Sequence, residues 1–267
     1  MNTVSVVGVG LIGGSFALAL RKAGFTGRII GVSSPAAVRA ALELGAIDEA
    51  SPLEPAASAS DVIYLAQPIE RIIETIRVID AHVRPGKLIT DAGSTKLTIS
   101  EAAAKHLRRG RFVGGHPMAG KESRGVEQAE ADLFRGRPYV LTGRDAGLES
   151  WIERIGARLV FLDAAEHDRL VALTSHLPQL ISTALASLIV DENKAAQVAG
   201  PAAMELTRLA LSPYEIWRDI FSTNAAGIDG ALGAFIGKLE ELRSALRDPS
   251  MERRFEKAAA AARELRK

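Results

Sequence analysis

Residues 4–20 read VSVVGVGLIGGSFALAL, and this stretch decides the fold of the first half of the chain. A short apolar run gives way to Gly8, Gly10 and Gly13, and apolar residues then return at helical spacing. A strand, a tight turn and a helix are therefore predicted. The first glycine permits the turn, the second lets the backbone approach a pyrophosphate, and the third lets helix pack on strand. The stretch predicts a dinucleotide site made by Gly8, Gly10, Leu11, Ile12 and Gly13.

The composition excludes several classes of protein. The chain has 267 residues, of which 47% are hydrophobic, so it can bury a large core in one or two domains. A net charge of +1, with acids and bases interspersed, gives no electrostatic case for nucleic acid or an anionic membrane as a partner. The lack of cysteine excludes disulfides and thiolate chemistry. With no signal peptide apparent after Met1, we expect a cytoplasmic protein without a metal site.

Residues 170–190 carry no Asp, Glu, Lys or Arg and are long enough to span a bilayer. Eight other residues interrupt the apolar run: Thr174, Ser175, His176, Pro178, Gln179, Ser182, Thr183 and Ser187. We therefore predict a buried helix of a soluble domain and no membrane span.

Strand and helix signals alternate through the first 160 residues. After the opening unit, strands are predicted at 28–32, 61–66, 87–91, 111–115, 137–142 and 158–162. Helices are predicted at 35–44, 70–82, 96–107 and 148–156, and then at 166–193, 196–211, 213–247 (with breaks) and 249–267. This order predicts a doubly wound, mostly parallel α/β domain over residues 1–164 and an all-α domain over residues 165–267.

In such an architecture, ligands bind beyond the carboxyl ends of the strands. The second predicted strand is followed by Ser33 and Ser34, where a carboxylate would favour NAD. Serine can hydrogen-bond a 2′-phosphate and Arg39 on the next helix can assist, so NADP is favoured over NAD. The alternative is that these serines only cap the helix that begins at Pro35.

Two further strand ends carry polar residues. Ser94 follows the strand at 87–91 and, from the residues alone, is more simply the N-cap of the next helix. His116 lies between glycines in the sequence VGGHPMAGKE at 113–122. A histidine with an ordinary pKa of about 6.5 accepts a proton near neutral pH, as an alcohol oxidation requires. His116 is therefore the candidate base.

These residues resemble the prephenate/arogenate dehydrogenases, also called cyclohexadienyl dehydrogenases, over essentially the whole chain. The motifs that carry the resemblance, besides the glycines, are DAGSTK at 91–96, GHPMAG at 115–120, HD at 167–168, SHLP at 175–178, Arg208 and WRD at 217–219. The resemblance implies a Rossmann domain and a helical domain that forms a homodimer. It also implies the oxidative decarboxylation of a small cyclohexadienyl acid with NAD(P), on the route to tyrosine.

The resemblance also implies roles for single residues. His116 would take the proton of the ring 4-hydroxyl as hydride leaves the same carbon, and Ser94 would hold that hydroxyl and the histidine in register. Arg208 would bind a substrate carboxylate through its planar guanidinium, although the sequence alone predicts a solvated helix face there. The remaining expected site residues are Ser175 and Trp217 in the pocket and Glu122 at its entrance. His167 and His176 are equally well explained as site or packing residues.

Two positions depart from the family pattern. Position 179 is Gln where several prephenate-using relatives have a histidine that contacts the substrate side chain, and position 121 is Lys where threonine is common. Gln179 is thus expected in the substrate site, but it does not decide between prephenate and arogenate. The chain shows no regulatory or chorismate mutase segment, so the single-activity form is expected.

Three other interpretations stay open. The first is another Rossmann-plus-helical dehydrogenase, of the β-hydroxyacid or imine reductase type, which would lack the loop at 115–120. The second is a nonenzymatic nucleotide sensor, which would need the pocket but not His116. The third is an interaction protein that uses the helical domain alone, against which the intact glycine pattern argues.

Overall fold

The large sheet lies in the first half of the chain. In the computed structural model, which describes residues 1–121 and 123–266, its strands are β1 (Thr3–Val7), β2 (Arg28–Val32), β3 (Glu49–Ala50), β4 (Val62–Leu65), β5 (Leu88–Asp91) and β6 (Arg111–Val113). All pairings are parallel, in the order β3-β2-β1-β4-β5-β6. The strand order reverses between β1 and β4, so a crevice opens at the carboxyl ends of these two strands.

Helices cover both faces of this sheet. They are α1 (Leu11–Lys22), α2 (Pro35–Glu43), α3 (Leu53–Ala59), α4 (Ile69–Ile79) and α5 (Leu97–His106). Phe16 of α1 stacks on Tyr64 of β4 with ring centroids 3.9 Å apart, in the core of one face. The isoleucines of α4 form the core of the other face. The predicted fold class is confirmed, although β3 and α3 were not predicted, because a two-residue strand and one short helix give no periodic signal.

A small second sheet holds His116. It consists of β7 (Gly115–Pro117), β8 (Pro138–Leu141) and β9 (Arg158–Phe161). The helix α6 (Ala146–Arg154) connects β8 to β9. The single strand predicted at 111–115 is wrong, since the chain leaves the large sheet at Gly114 and pairs antiparallel with β8. Gly115 passes so close to β5 that a Cβ there would lie 2.6 Å from the Asp91 carbonyl oxygen. His116 is therefore on a strand and not in a loop.

The second half of the described chain is helical. Its helices are α7 (Ala164–Val171), α8 (Leu177–Asp191), α9 (Pro201–Thr207), α10 (Tyr214–Thr223), α11 (Ala225–Ser244) and α12 (Ser250–Glu264). The continuous helix predicted at 166–193 is wrong, because a π-helical turn, Ala172–His176, separates α7 from α8. Pro178, which lacks an N–H, is the second residue of α8, just after this turn. The helix predicted at 196–211 is also broken, by short 3₁₀ turns at Ala195–Val198 and Arg208–Leu211, and Lys267 lies outside the described residues.

One helical run, Ala164–Asp191, is long and apolar enough to cross a membrane by length and composition, with a hydropathy of 1.3. It contains the π-helical turn and packs against α11. Only 22% of its apolar window is buried within one chain, so the buried helix predicted at this position is not what a single chain shows. The run keeps an apolar face available for contact outside the chain.

Candidate active site

The three glycines after β1 differ in what surrounds them. Gly8 has φ +95°, and a Cβ there would lie 2.5 Å from the Ala66 carbonyl oxygen. A Cβ on Gly13 would collide with the Gly8 carbonyl oxygen and come within 2.8 Å of the Val6 side chain. At Gly10, by contrast, no described atom lies within 4 Å of such a Cβ. Packing thus explains the first and third glycines, and the second leaves open the approach to the amino end of α1, as a pyrophosphate needs. Leu11 and Ile12 form the first turn of that helix.

A second wall of the nucleotide cleft is formed at the end of β2. Ser33 and Ser34 both line it, and the Ser34 Oγ accepts a hydrogen bond from the Ala37 N–H at 3.3 Å, which is the capping role. Arg39 is exposed on α2 and is not among the described residues that line the cleft. Arg71 of α4 does line it, paired with Glu74 at 2.8 Å. The sequence analysis missed Arg71 because it considered only residues after β2, whereas Arg71 follows β4.

Ser94 lies between β5 and α5 and lines a cavity together with Ile12 and Asp219. The N-cap interpretation of Ser94 is wrong. The first amides of α5, those of Lys96 and Leu97, instead donate to the two carboxylate oxygens of Asp168 at 2.7 and 2.9 Å. A carboxylate from the helical half of the chain thus caps this helix and neutralises its dipole. Ser94 is left half-buried in the cavity wall.

His116 belongs to a chain of three side chains. Its Nδ1 lies 2.8 Å from the Nε2 of His167, whose Nδ1 lies 2.7 Å from the Asp168 Oδ1. Because an ionised carboxylate only accepts, His167 donates to it from Nδ1, and a neutral His167 then accepts at Nε2 from the Nδ1 of His116. This tautomer leaves the Nε2 of His116 as a hydrogen-bond acceptor. His167, whose role the sequence left open, is therefore part of the site.

A buried ion pair fixes the strand that carries His116. Lys96 and Asp91 form this pair with neither side chain exposed, and the Lys96 Nζ also donates to the Gly115 carbonyl at 2.7 Å. The Gly115 N–H in turn donates to the Asp91 Oδ1 at 3.1 Å. These bonds attach β7 to the end of β5. The sequence motif at 91–96 contains both residues, but the sequence alone did not predict that they form an ion pair.

Two histidines, His116 and His176, are held neutral. Burial lowers the pKa of His116 well below its usual value, and the neighbouring Lys96 lowers it further. Burial lowers the pKa of His176 to about 4, although the Asp168 carboxylate opposes this shift. Near neutral pH both imidazoles are therefore unprotonated, and His116 is able to accept a proton.

A third cavity, of about 460 Å³, lies beside this site and is of a size that suits a small ligand. Among the predicted substrate residues it brings together Gln179, Arg208 and Trp217. The Trp217 indole N–H donates to the Ser212 Oγ at 2.9 Å, and its ring meets that of His176 edge-on. Ser175 lies in the π-helical turn, half-buried, and is not among the described residues that line this cavity. Glu122 lies outside the described residues.

The structure thus separates the predicted residues into neighbouring groups. Gly8, Gly10, Ser33 and Ser34 line the nucleotide cleft, Ser94 and Ile12 line the middle cavity, and Gln179, Arg208 and Trp217 line the third. Leu11, Gly13 and His116 are not among the described residues that line these three cavities. Ala66 and Gln67 line both the nucleotide cleft and the middle cavity, and Ile216 lines both the middle and the third. A ligand pair can therefore extend along one continuous crevice.

Two family profiles match the chain. One, described as the nucleotide-binding domain of prephenate dehydrogenase, matches residues 16–164, and the other, described as the dimerization domain of prephenate dehydrogenase, matches residues 163–259. A prephenate dehydrogenase from Lactococcus lactis is 34% identical over 231 residues, which are 84% of this chain and 65% of the relative. The chain therefore spans about two thirds of the length of that relative.

Solved structures agree along the whole chain. Prephenate dehydrogenase from A. aeolicus, in complex with hydroxyphenyl propionate and NAD⁺, superposes with a TM-score of 0.92 at 28% identity, covering 99% of this chain and 98% of that one. Arogenate dehydrogenase from Synechocystis superposes with a TM-score of 0.87 at 30% identity, covering 98% and 99%.

Proposed function

Because this chain belongs to the prephenate dehydrogenase family, we propose that it oxidises and decarboxylates a cyclohexadienyl acid, prephenate and/or arogenate. The observation that supports this activity best is the chain of side chains from Asp168 through His167 to His116. It provides a neutral imidazole on β7, and the segment that follows β7 supplies Gly120 and Lys121 to the third cavity of a crevice that also contains a glycine loop and a guanidinium. A base, a dinucleotide site and a cation are what this reaction requires of a protein.

His116 is the proposed base. Its Nε2 accepts the proton of the substrate 4-hydroxyl. A nicotinamide held in the neighbouring cleft would supply the acceptor for the hydride that leaves C4, the carbon that carries this hydroxyl. The bond to the ring carboxylate then breaks, its electron pair enters the ring, and CO₂ leaves. The proton returns to the phenolic oxygen, which regenerates the base. His167 and Asp168 keep the imidazole in the correct tautomer and stabilise the positive charge that it acquires.

Substrate binding is assigned to the other predicted residues. Arg208 binds a carboxylate of the side chain, for which a guanidinium is suited by its paired donors. Ser94 orients the hydroxyl at the end of β5, while Trp217 forms an apolar wall. Ser175 and Glu122 remain predicted contacts of the same substrate.

The choice of nucleotide is assigned from the end of β2. We propose that NADP is preferred over NAD, since Ser33 and Ser34 stand where NAD enzymes place a carboxylate and Arg71 lines the same cleft. Glu127 also lines this cleft but belongs to a 3₁₀ turn and not to β2. Arg71 replaces Arg39 in this proposal.

We further propose a homodimer that forms through the helical domain, residues 165–267, with the nucleotide-binding domain ending at residue 164, the first residue of α7. Large apolar side chains of the helical domain are exposed in a single chain, including Val198 (83%), Leu211 (81%), Val190 and Leu188. Such a surface is typical of a subunit interface. Sedimentation velocity tests this, and a monomer at micromolar concentration would contradict it. A soluble cytoplasmic location is proposed with it.

The activity is tested by following reduced nicotinamide at its absorbance near 340 nm. Prephenate and arogenate are each paired with NAD and with NADP. Turnover in any mixture supports the reaction class, and the kcat/KM values rank the nucleotides. No turnover in all four, with nucleotide binding intact, would contradict the proposal and favour a nucleotide sensor.

A further inference from the structure

The third cavity contains a buried amide with one unused hydrogen-bonding atom. Gln179 of α8 is 5% exposed and lines the same cavity as Arg208. Its Oε1 is buried and has no hydrogen-bond donor among the described residues. Buried polar atoms in proteins almost always have a partner. This oxygen therefore marks a position at which a donor from a ligand is expected.

Thr183 determines which atom of the amide is unused. The Thr183 Oγ1 donates its single proton to the backbone carbonyl of Gln179 at 2.9 Å. Towards the Gln179 side chain, 3.3 Å away, the same oxygen can then only accept. The atom that faces Thr183 is accordingly Nε2, which donates. The unused atom is the carbonyl oxygen, and it cannot serve a ligand that only accepts hydrogen bonds.

The charges around the cavity agree with this polarity. Lys121 lines the cavity, but its Nζ lies 2.5 Å from the Glu130 Oε1 and donates to the Gln128 carbonyl at 2.9 Å. Its charge is thus balanced by a carboxylate, which weakens its repulsion of a ligand cation. Arg208 supplies the guanidinium for a carboxylate. The cavity therefore offers a cation and a separate carbonyl acceptor.

The two acids of the proposed reaction differ at this end. The prephenate side chain is a keto acid, whose oxygens only accept hydrogen bonds, whereas the arogenate side chain is an amino acid, whose ammonium donates. We propose that this enzyme selects the amino acid, with Arg208 on its carboxylate and the Gln179 Oε1 accepting from its ammonium. This inference rests on the proposed function. A keto oxygen in the same place would face another acceptor.

The first experiment measures kcat/KM for arogenate and for prephenate with the unmodified enzyme and the better nucleotide. We expect arogenate to be favoured by about tenfold or more, because sites built to hydrogen-bond an NH group reject analogues that lack it. Equal or better use of prephenate would overturn the inference while leaving the proposed function intact. Turnover of neither acid would overturn the proposed function, and this inference with it.

Gln179→Met tests the atom directly, since methionine has a similar volume but no amide. We expect kcat/KM for arogenate to fall about tenfold more than that for prephenate, so that the ratio of the two moves towards one. An equal fall for both acids would indicate a packing role and would overturn the inference.

Two substitutions at Thr183 provide a matched pair that leaves Gln179 in place. Thr183→Val removes the acceptor that fixes the amide, so Nε2 can turn to a keto oxygen and the preference for arogenate should fall. Thr183→Ser keeps the hydroxyl and should keep the preference. Identical preferences in these two variants would overturn the assignment.

Discussion

The two ends of the crevice are built in different ways. At the nucleotide end, three glycines within six residues matter because they have no side chain, and backbone N–H groups are available to bind the ligand. At the substrate end, side chains from both domains meet, and each is held by another side chain. The first end is therefore determined by local sequence, whereas the second depends on how the helical domain docks on the sheet.

The largest effect is expected at the substrate end, from His116→Asn. Because a positioned base contributes about 10² to 10⁴ in rate, kcat should fall by that factor while nucleotide affinity stays nearly constant. Steady-state kinetics and nucleotide titration measure the two quantities. An unchanged kcat would remove His116 from the chemistry.

Arg208→Gln should act on binding. The loss of a charge-assisted pair of about 1.5 to 3 kcal/mol corresponds to a rise in KM of roughly 10- to 150-fold, with kcat less affected. Initial rates over a range of substrate concentrations distinguish the two parameters. A fall in kcat at constant KM would contradict a role of Arg208 in substrate binding.

At the nucleotide end, a pair of alanine substitutions separates packing from binding. Gly13→Ala forces a Cβ against the Gly8 carbonyl and should lower the free energy of unfolding by about 1 to 3 kcal/mol. Gly10→Ala meets no described atom, so stability should be kept while nucleotide affinity falls. Denaturant unfolding and nucleotide titration measure the two effects. Equal loss of stability in both variants would contradict this division.

The pH profile tests the electrostatics of the base. The pKa of His116 is depressed, so the imidazole stays neutral below the usual histidine value and protonates only in more acidic solution. We expect kcat/KM to be constant around pH 7 and to fall about tenfold per pH unit only well below pH 6.5. A fall that begins at or above pH 6.5 would show that His116 is not depressed or is not the base.

The smallest effect is expected from Arg71→Gln. An exposed cation beside a 2′-phosphate contributes about 0.2 to 1 kcal/mol, so the Kd for NADP should rise only a few-fold and that for NAD should stay constant. Arg39→Gln is the matched control and should change neither value. An effect from Arg39 and none from Arg71 would reverse the assignment.

The same contrast explains what the sequence could predict. The glycine loop, the parallel order of the sheet and the helical second half follow from patterns within some 20 residues. The capping of α5 by Asp168 does not, because a carboxylate far along the chain replaces the local cap that Ser94 was expected to provide. Likewise, the break at Gly114 reflects its contact with another strand, and no periodicity in 111–117 encodes it.

Asp168 also links catalysis to the folding of the whole chain. One of its oxygens receives the first amide of α5 together with His167, and its backbone carbonyl accepts from Asn224 of the helical half. The same carboxylate therefore holds the two domains together and orients the base. A chain whose helical half has come away from the sheet keeps its glycine loop but loses the orientation of His116. Such a molecule would bind the nucleotide without catalysing the reaction. The activity of the enzyme therefore reports whether its two domains are correctly assembled.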